Sequence, residues 1–312
     1  MGYTTLPDRF SSFLSLLRVR QWVKNVAVLA PLVFGGAIFS PKYVELSLLA
    51  FLALSVISSS HYIMNDIIDA PLDRLHPTKR NRPIASKMIT IRQAWIAWGV
   101  CVLLGSILSL LLGWTFFVVI LLYMALHYLL LFVFRYQRIL DIMALSTGYA
   151  LRLIAGEIAT GIHVSVWLLL TAFCLSLLFA IGKRRYEAME LERKKSVGGE
   201  PMYSPTLLDA FLAMFATATF LSYSYFSFLT TFSNESLASA VSGNGIALFT
   251  GRKWLMATIP FVLYGLMRYL QRMYVVEKHE SYQSLLFRDR PLLLSVVGWG
   301  ITVLVVIYGI GR

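Results

Sequence analysis

The stretch Asn65-Asp66-Ile67-Ile68-Asp69-Ala70-Pro71-Leu72-Asp73 puts three carboxylates at the end of a segment otherwise apolar enough to span a bilayer. An ionisable side chain in or near hydrocarbon is costly unless paired or wet, so such a group marks a site that holds a cation or a polar substrate. On a helix Asp66, Asp69 and Asp73 fall at i, i+3 and i+7 and share one face over about two turns. Oxygen donors in that number suit a hard cation: Mg²⁺ takes one or two carboxylates and completes its shell with water and substrate phosphates. The cations that follow, Arg74 and then Lys79, Arg80 and Arg82, supply partners for phosphate oxygens. Acids and cations together are the two halves of a Mg²⁺-diphosphate site.

Two further constellations lie downstream. Asp141, Arg152 and Glu157 interrupt an apolar run; Arg152 and Glu157 are expected to form an intramembrane ion pair, because a lone partner would be costly. Asp141, beside Arg138, reads instead as an active-site residue. In Gly182-Lys183-Arg184-Arg185-Tyr186-Glu187, cations, a phenol and an acid meet at a helix end, either as a phosphate subsite or as a topology anchor.

The elements that must position these residues are membrane helices. Hydrophobic residues make up 58% of the 312 positions and charged ones 14%, and the apolar residues come in long blocks. About nine blocks approach the length a bilayer requires, centred near Pro31, Ala53, Cys101, Val119, Gly148, Ala172, Phe215, Phe261 and Thr302. The expected class is an all-α polytopic membrane protein, a single domain over 1–312. The net charge of +12 alternates by loop: clusters precede the first span and follow the second, fourth, sixth and eighth, while the other loops carry only Lys42, Arg252 and Lys253. The positive-inside rule then predicts a cytoplasmic N-terminus and puts 65–92 and 182–206, read as active-site loops, on the cytoplasmic side. No signal-peptide pattern starts the chain, and no nucleic-acid partner is expected. Cys101 and Cys174 sit inside apolar blocks without metal-ligand spacing and read as packing residues.

Residues 1–25 are expected to form an interfacial amphipathic helix, with Phe10, Phe13, Leu14 and Leu17 at helical spacing between Asp8 and Trp22. Pro71 should kink or end the helix that carries the acids, because it cannot donate to the carbonyl of Ile67. Pro77, Thr78, Asn81 and Pro83 predict an ordered loop after it, with His76 as a polar loop residue.

The run from Asn65 to Asp73, followed by Arg80-Asn81-Arg82-Pro83-Ile84-Ala85-Ser86, resembles the first aspartate-rich motif of the UbiA superfamily. The likeness extends to the decaprenyl-phosphate phosphoribosyltransferase branch through Arg18-Val19-Arg20-Gln21-Trp22-Val23-Lys24-Asn25, His76-Pro77-Thr78-Lys79-Arg80, Gly182-Lys183-Arg184, Tyr264-Gly265-Leu266-Met267-Arg268-Tyr269 and Asp289-Arg290-Pro291-Leu292. The resemblance implies nine transmembrane helices around a lipid-accessible cavity. It also implies transfer of 5-phosphoribosyl from phosphoribosyl pyrophosphate to a polyprenyl phosphate, with Mg²⁺ as cofactor. Under it Asp66, Asp69 and Asp73 bind Mg²⁺ and diphosphate, and Asn65 orients them. Lys24, Lys79, Arg80 and Arg82 bind donor phosphates, Lys183 and Arg184 bind the acceptor phosphate or the 5-phosphate, and Arg20, Asp141 and Tyr186 are further substrate-binding residues.

The second aspartate pair usual in the superfamily's prenyltransferases is absent, and the Lys183–Glu187 cluster stands in its place. A prenyltransferase that turns a prenyl diphosphate onto an aromatic acceptor is the alternative, with Glu187 and Glu190 as partial substitutes. A transporter of phosphorylated solutes fits less well, because its polar residues should continue across the midplane. The signature of a CDP-alcohol phosphotransferase is not found.

Overall fold

The computed structural model describes residues 9–75, 79–133, 137, 139–193, 204–229, 254–274 and 289–310. The regular elements among them are helical. They run α1 (Arg9–Leu17), a 3-10 segment (Val19–Leu29), α2 (Ala30–Phe34), α3 (Pro41–Asp73), α4 (Ile91–Leu111), α5 (Trp114–Phe132), α6 (Leu140–Thr160), α7 (Val166–Arg193), α8 (Pro205–Leu229), α9 (Ile259–Tyr274) and α10 (Arg290–Leu304).

Among the described residues seven helices are long and apolar enough to cross a membrane: α3, α4, α5, α6, α7, α8, and α10 with its π-helical continuation. They coincide with seven of the nine predicted centres. The other two, near Pro31 and Phe261, are broken elements: 3-10 from Val19 to Leu29 before the five residues of α2, and 3-10 from Leu255 to Thr258 before the sixteen of α9. Each holds a proline, Pro31 or Pro260, in the first α-helical turn, where its missing N–H leaves no hydrogen bond unmade.

The chain divides into two compact units. The first comprises Met1–Leu32, Ile38–Arg135 and Leu151–Ile162; the second comprises Val33–Ala37, Tyr136–Ala150 and His163–Arg312.

In the first unit α3 buries a face of small residues, among them Ser47, Ala50, Ala53, Ser55, Ser58 and Ser59. Hydrocarbon removes the hydrophobic drive between helices, so association rests on close packing and interhelical hydrogen bonds, which small polar residues supply together. Gly156 of α6 is required by such an approach: a Cβ there would lie 2.1 Å from the Val28 carbonyl oxygen. Asn25 ties two helices, α3 and α6, to the 3-10 segment. Its Nδ2 donates to Ser55 Oγ (3.1 Å) and Ser58 Oγ (3.3 Å), and its Oδ1 accepts from Arg152 Nε (2.8 Å). Arg152 Nη2 donates to Tyr123 Oη at 2.7 Å, and the guanidinium lies 5.0 Å from that ring's centroid. Arg152 is thus a buried tie between α5, α6 and the 3-10 segment. The start of α4 is written locally by a capping box, Gln93 N–H to Thr90 Oγ1 at 3.3 Å and Thr90 N–H to Gln93 Oε1 at 3.0 Å.

The second unit packs Leu177, Leu178 and Ile181 of α7 against Leu208 and Leu212 of α8 and Leu266, Tyr269 and Met273 of α9. Arg185, buried beside this cluster, donates through Nε to Asp209 and through Nη1 to the Met273 carbonyl oxygen at 2.7 Å, and lies over the Tyr274 ring. Two motifs that are far apart in sequence meet here: Arg268 donates to both oxygens of Asp289, at 2.8 and 2.7 Å. Asp289 also caps α10 by accepting from the Leu292 N–H at 3.2 Å.

Three expectations need correction. The N-terminal helix is not continuous: α1 stops at Leu17, and Arg18 takes a left-handed conformation (φ 50°) before the chain winds on as a 3-10 helix. Of the two outcomes expected at Pro71, a kink or an end, the end is excluded: α3 runs two residues further, to Asp73. Positions 65–73 and 182–193 are therefore helix rather than loop. His76, Thr78, Arg138 and the 196–203 and 230–250 stretches fall outside the described residues.

Candidate active site

Continuation of α3 through Pro71 keeps Asp73 seven residues and two turns from Asp66 on one face, and both are buried, at 4% and 3% exposure. Arg82 reaches back from beyond the 3-10 turn Lys79–Asn81 to join them. Its Nη1 donates to Asp73 Oδ2 at 2.6 Å and to Asp66 Oδ1 at 3.3 Å. Arg18 donates to the same Asp66 oxygen, and its guanidinium lies 5.1 Å from the Tyr62 ring centroid. Two buried carboxylates thus meet two guanidinium groups, the pairing that burial of charge demands. Asn65 Nδ2 donates to Asp69 Oδ2 at 3.1 Å, and Asp69 is half-buried.

The remaining predicted cations of the first unit are exposed: Arg20 and Lys24 on the 3-10 segment, Lys79 and Arg80 on the turn before Arg82. Arg18 is the residue the sequence reading passed over in favour of Arg20 and Lys24. Its left-handed backbone turns it toward α3, and a non-glycine residue in that region is uncommon enough that no local pattern announces it.

In the second unit Asp141 (2% exposed) accepts from Arg184 Nη2, while Arg184 Nη1 donates to Glu187 Oε2 at 2.8 Å and Lys183 Nζ stands 3.7 Å from Glu187 Oε1. Arg184 thus joins Asp141, read from sequence beside Arg138, to Glu187 of its own Gly182–Glu187 cluster. Tyr186 packs against the apolar cluster of this unit.

The UbiA prenyltransferase family model matches residues 28–288. The chain belongs to that family. A decaprenyl-phosphate phosphoribosyltransferase of Mycobacterium tuberculosis is 33% identical over 297 residues, covering 92% of this chain and 91% of the relative. One of Corynebacterium glutamicum is 37% identical over 227 residues, 68% and 66% of the two chains. Among solved structures, a UbiA homolog from Archaeoglobus fulgidus bound to DMAPP and Mg²⁺ superposes with a TM-score of 0.67, covering 96% of this chain and 98% of that one at 17% identity. The protein is thus an α-helical, multi-pass UbiA-family transferase.

A divalent cation fits the donors in α3, with a smaller protein share than three aspartates would give. Oxygens of Asp66 and Asp73 flank one nitrogen of Arg82, so the pair already encloses a cationic centre with hard oxygen donors. Among the described residues no group of three or more His, Cys, Asp or Glu side chains is gathered as a metal site. Asp69 accepts from Asn65 Nδ2 rather than from Arg82 or Arg18 among these contacts. Two carboxylates plus substrate phosphates still match what Mg²⁺ takes from a protein.

Proposed function

We propose that this UbiA-family protein transfers the 5-phosphoribosyl group of phosphoribosyl pyrophosphate to a polyprenyl phosphate of decaprenyl type and releases diphosphate. The observation that carries this reading is the one-third identity, end to end, with proteins named for that activity. In the reaction an acceptor phosphate oxygen forms a bond to ribose C1, and the bond from C1 to the diphosphate oxygen breaks, the electron pair leaving with diphosphate. Little acid-base help is needed: a phosphate monoester has its second pKa near about 6 and is mostly a dianion at neutral pH. The protein's tasks are neutralising the departing charge and aligning two anions that repel each other.

Asp66 and Asp73 would hold Mg²⁺, which when bound neutralises charge on the diphosphate; Asn65 orients Asp69. Arg82 and Arg18, now paired with the acids, are the guanidinium groups closest to that charge, and bidentate donation to phosphate is what guanidinium does best. Arg20, Lys24, Lys79 and Arg80, all exposed, would contact donor phosphates. Lys183 and Arg184, held by Asp141 and Glu187, would bind a further phosphate. In this reading residues 1–312 act as one domain, Mg²⁺ is required, and the chemistry takes place at the cytoplasmic face of the cell membrane, where phosphoribosyl pyrophosphate is available.

The family name keeps one other reading in play, a transfer from a prenyl diphosphate to an aromatic acceptor. The deciding assay uses purified protein, Mg²⁺, polyprenyl phosphate and radioactive phosphoribosyl pyrophosphate, and follows label into butanol-extractable lipid, with Asp66→Asn as control. Label that depends on acceptor and active protein supports the phosphoribosyl transfer. Absence of label, with consumption of a prenyl diphosphate and an aromatic acceptor, overturns it.

A further inference from the structure

The Tyr264–Tyr269 and Asp289–Leu292 motifs, which the proposed transfer leaves unused, build a cationic corner at one end of the second unit. Arg268 donates through Nε and Nη2 to the two Asp289 oxygens and through Nη1 to Gln271 Oε1 at 2.9 Å. Arg272, one turn further along α9, brings its Nε to 3.6 Å from Asp289 Oδ1. One buried carboxylate thus fixes two guanidinium groups side by side, and it is itself pinned to the Leu292 N–H in the first turn of α10. Long side chains held in place beforehand lose less freedom when an anion binds.

A guanidinium carries five N–H donors. The bonds to Asp289 and Gln271 use three of those on Arg268, and its side chain is 25% exposed, so the group is reachable from outside the unit. The surface beside it is apolar. Tyr264 and Met267 of α9 are 50% and 62% exposed, and Leu294 of α10 is 70% exposed. Tyr264, Arg268 and Arg272 lie at i, i+4 and i+8, a single row along α9. Large apolar side chains exposed on a membrane helix face hydrocarbon, and tyrosine is enriched where hydrocarbon gives way to headgroups. The row therefore runs from acyl-chain depth into the cationic corner. Arg185, after the sixth span, donates to the Met273 carbonyl oxygen at the same end of α9. The alternation of basic loops assigns that end to the cytoplasmic face, the side on which anionic lipids attract basic clusters.

We propose that Arg268 and Arg272 bind the phosphodiester of an anionic phospholipid of the surrounding bilayer, with an acyl chain lying along Tyr264 and Met267. The occupant follows from charge and surface together. Guanidinium donates in pairs to phosphate oxygens, and the exposed apolar row beside it takes hydrocarbon, so the corner suits a molecule that carries both. A zwitterionic lipid would bring its ammonium toward two guanidinium groups, which repel it. A metal-borne diphosphate would need free carboxylate oxygens, and both oxygens of Asp289 are engaged by Arg268. The proposal does not depend on which group the enzyme transfers; it makes α9 and α10 the part of the chain whose stability responds to lipid charge.

The test titrates the full-length protein in dodecyl maltoside with phosphatidylglycerol or phosphatidylcholine and counts retained lipid by native mass spectrometry, with thermal unfolding in parallel. Expected is tight retention of phosphatidylglycerol, which also raises the melting temperature, and weaker retention of phosphatidylcholine by about tenfold. One basic residue near an anionic headgroup is worth about a fivefold change in affinity. Arg272→Gln should therefore raise the phosphatidylglycerol Kd by about that factor, while Asp289 keeps both bonds from Arg268. Met267→Glu, on the exposed face of α9, should weaken retention similarly and serves if Arg272→Gln does not purify. Arg92→Gln, an exposed cation of α4, should change nothing. Equal retention of the two lipids, or an unaltered Kd in Arg272→Gln and Met267→Glu, would overturn the proposal. Displacement of phosphatidylglycerol by an equal concentration of inorganic phosphate would make the corner a site for soluble anions and overturn the lipid assignment. Displacement by polyprenyl phosphate, with turnover lost in Arg272→Gln, would overturn it in favour of a substrate site.

Discussion

Removal of Arg82 separates two roles that the geometry assigns to the same pocket. In the structure Arg82 bridges Asp73 and Asp66, while Asp66 also keeps Arg18. Breaking a sealed ion pair from one side costs about 3–5 kcal/mol. Here the Arg82 side chain is 26% exposed, so water screens part of that loss, and Asp66 retains a second cation; Arg82→Ala should cost about 2 kcal/mol. At roughly 2 °C per kcal/mol for a chain of this size, the melting temperature in EDTA should fall by about 4 °C. Addition of Mg²⁺ then discriminates. If Asp66 and Asp73 take the metal, saturating Mg²⁺ at about 100 times its Kd contributes about 2.7 kcal/mol. It should do so more effectively in the variant, where no guanidinium must be displaced. The assay is thermal unfolding in detergent across a Mg²⁺ titration, with Ca²⁺ as comparison. An unchanged melting temperature in EDTA would refute Arg82 as the counterion of the buried acids. A drop that Mg²⁺ fails to reverse would refute the metal site.

Asp66→Asn keeps the shape of the side chain and removes its charge; turnover should fall at least a hundredfold while the protein still purifies as a folded membrane protein, and retained activity would end the metal role. Gly182→Ala should destabilise by about 1–3 kcal/mol, because its Cβ would lie 1.8 Å from Tyr269 Oη; adding Tyr269→Phe should recover part of the melting temperature, and no recovery would locate the strain elsewhere. Arg152→Ala leaves Asn25 and Tyr123 short of a donor within the membrane, and a normal melting temperature would count against its structural role. Asp289 is held below the ordinary carboxylate range, chiefly by the Arg268 hydrogen bonds. Because its folded pKa is depressed, its contribution is complete above the unfolded value near about 4 and is lost as pH falls through the folded one. Asp289→Asn should therefore flatten the acid limb of stability against pH, and an unaltered limb would exclude it as the cause.

What the sequence made legible, and what it hid, follows from the range of each interaction. Helix existence was readable because a bilayer imposes length and hydropathy on every span, and α4 even carries its start signal in Thr90 and Gln93. Two of the nine apolar blocks, Val19–Phe34 and Leu255–Tyr274, change helix type next to Pro31 and Pro260, a backbone event that hydropathy does not register. In the candidate site, carboxylate spacing on one helix was visible in the heptad from Asp66 to Asp73, because it depends on local periodicity alone. Partner choice was not. Arg18 lies 48 residues from Asp66 and reaches it only through a left-handed residue, whereas Arg20, Lys24, Lys79 and Arg80, equally basic, remain exposed. A count of charges therefore ranks these cations alike. What separates them is the Trp22–Ser59–Leu17 contact that fixes which way the turn faces. If that is the physical reason, Ser59→Ala should weaken the Arg18–Asp66 pair without touching either residue. Its melting temperature in EDTA should then drop non-additively with Arg18→Ala, and strictly additive losses would show that the turn is fixed by something else.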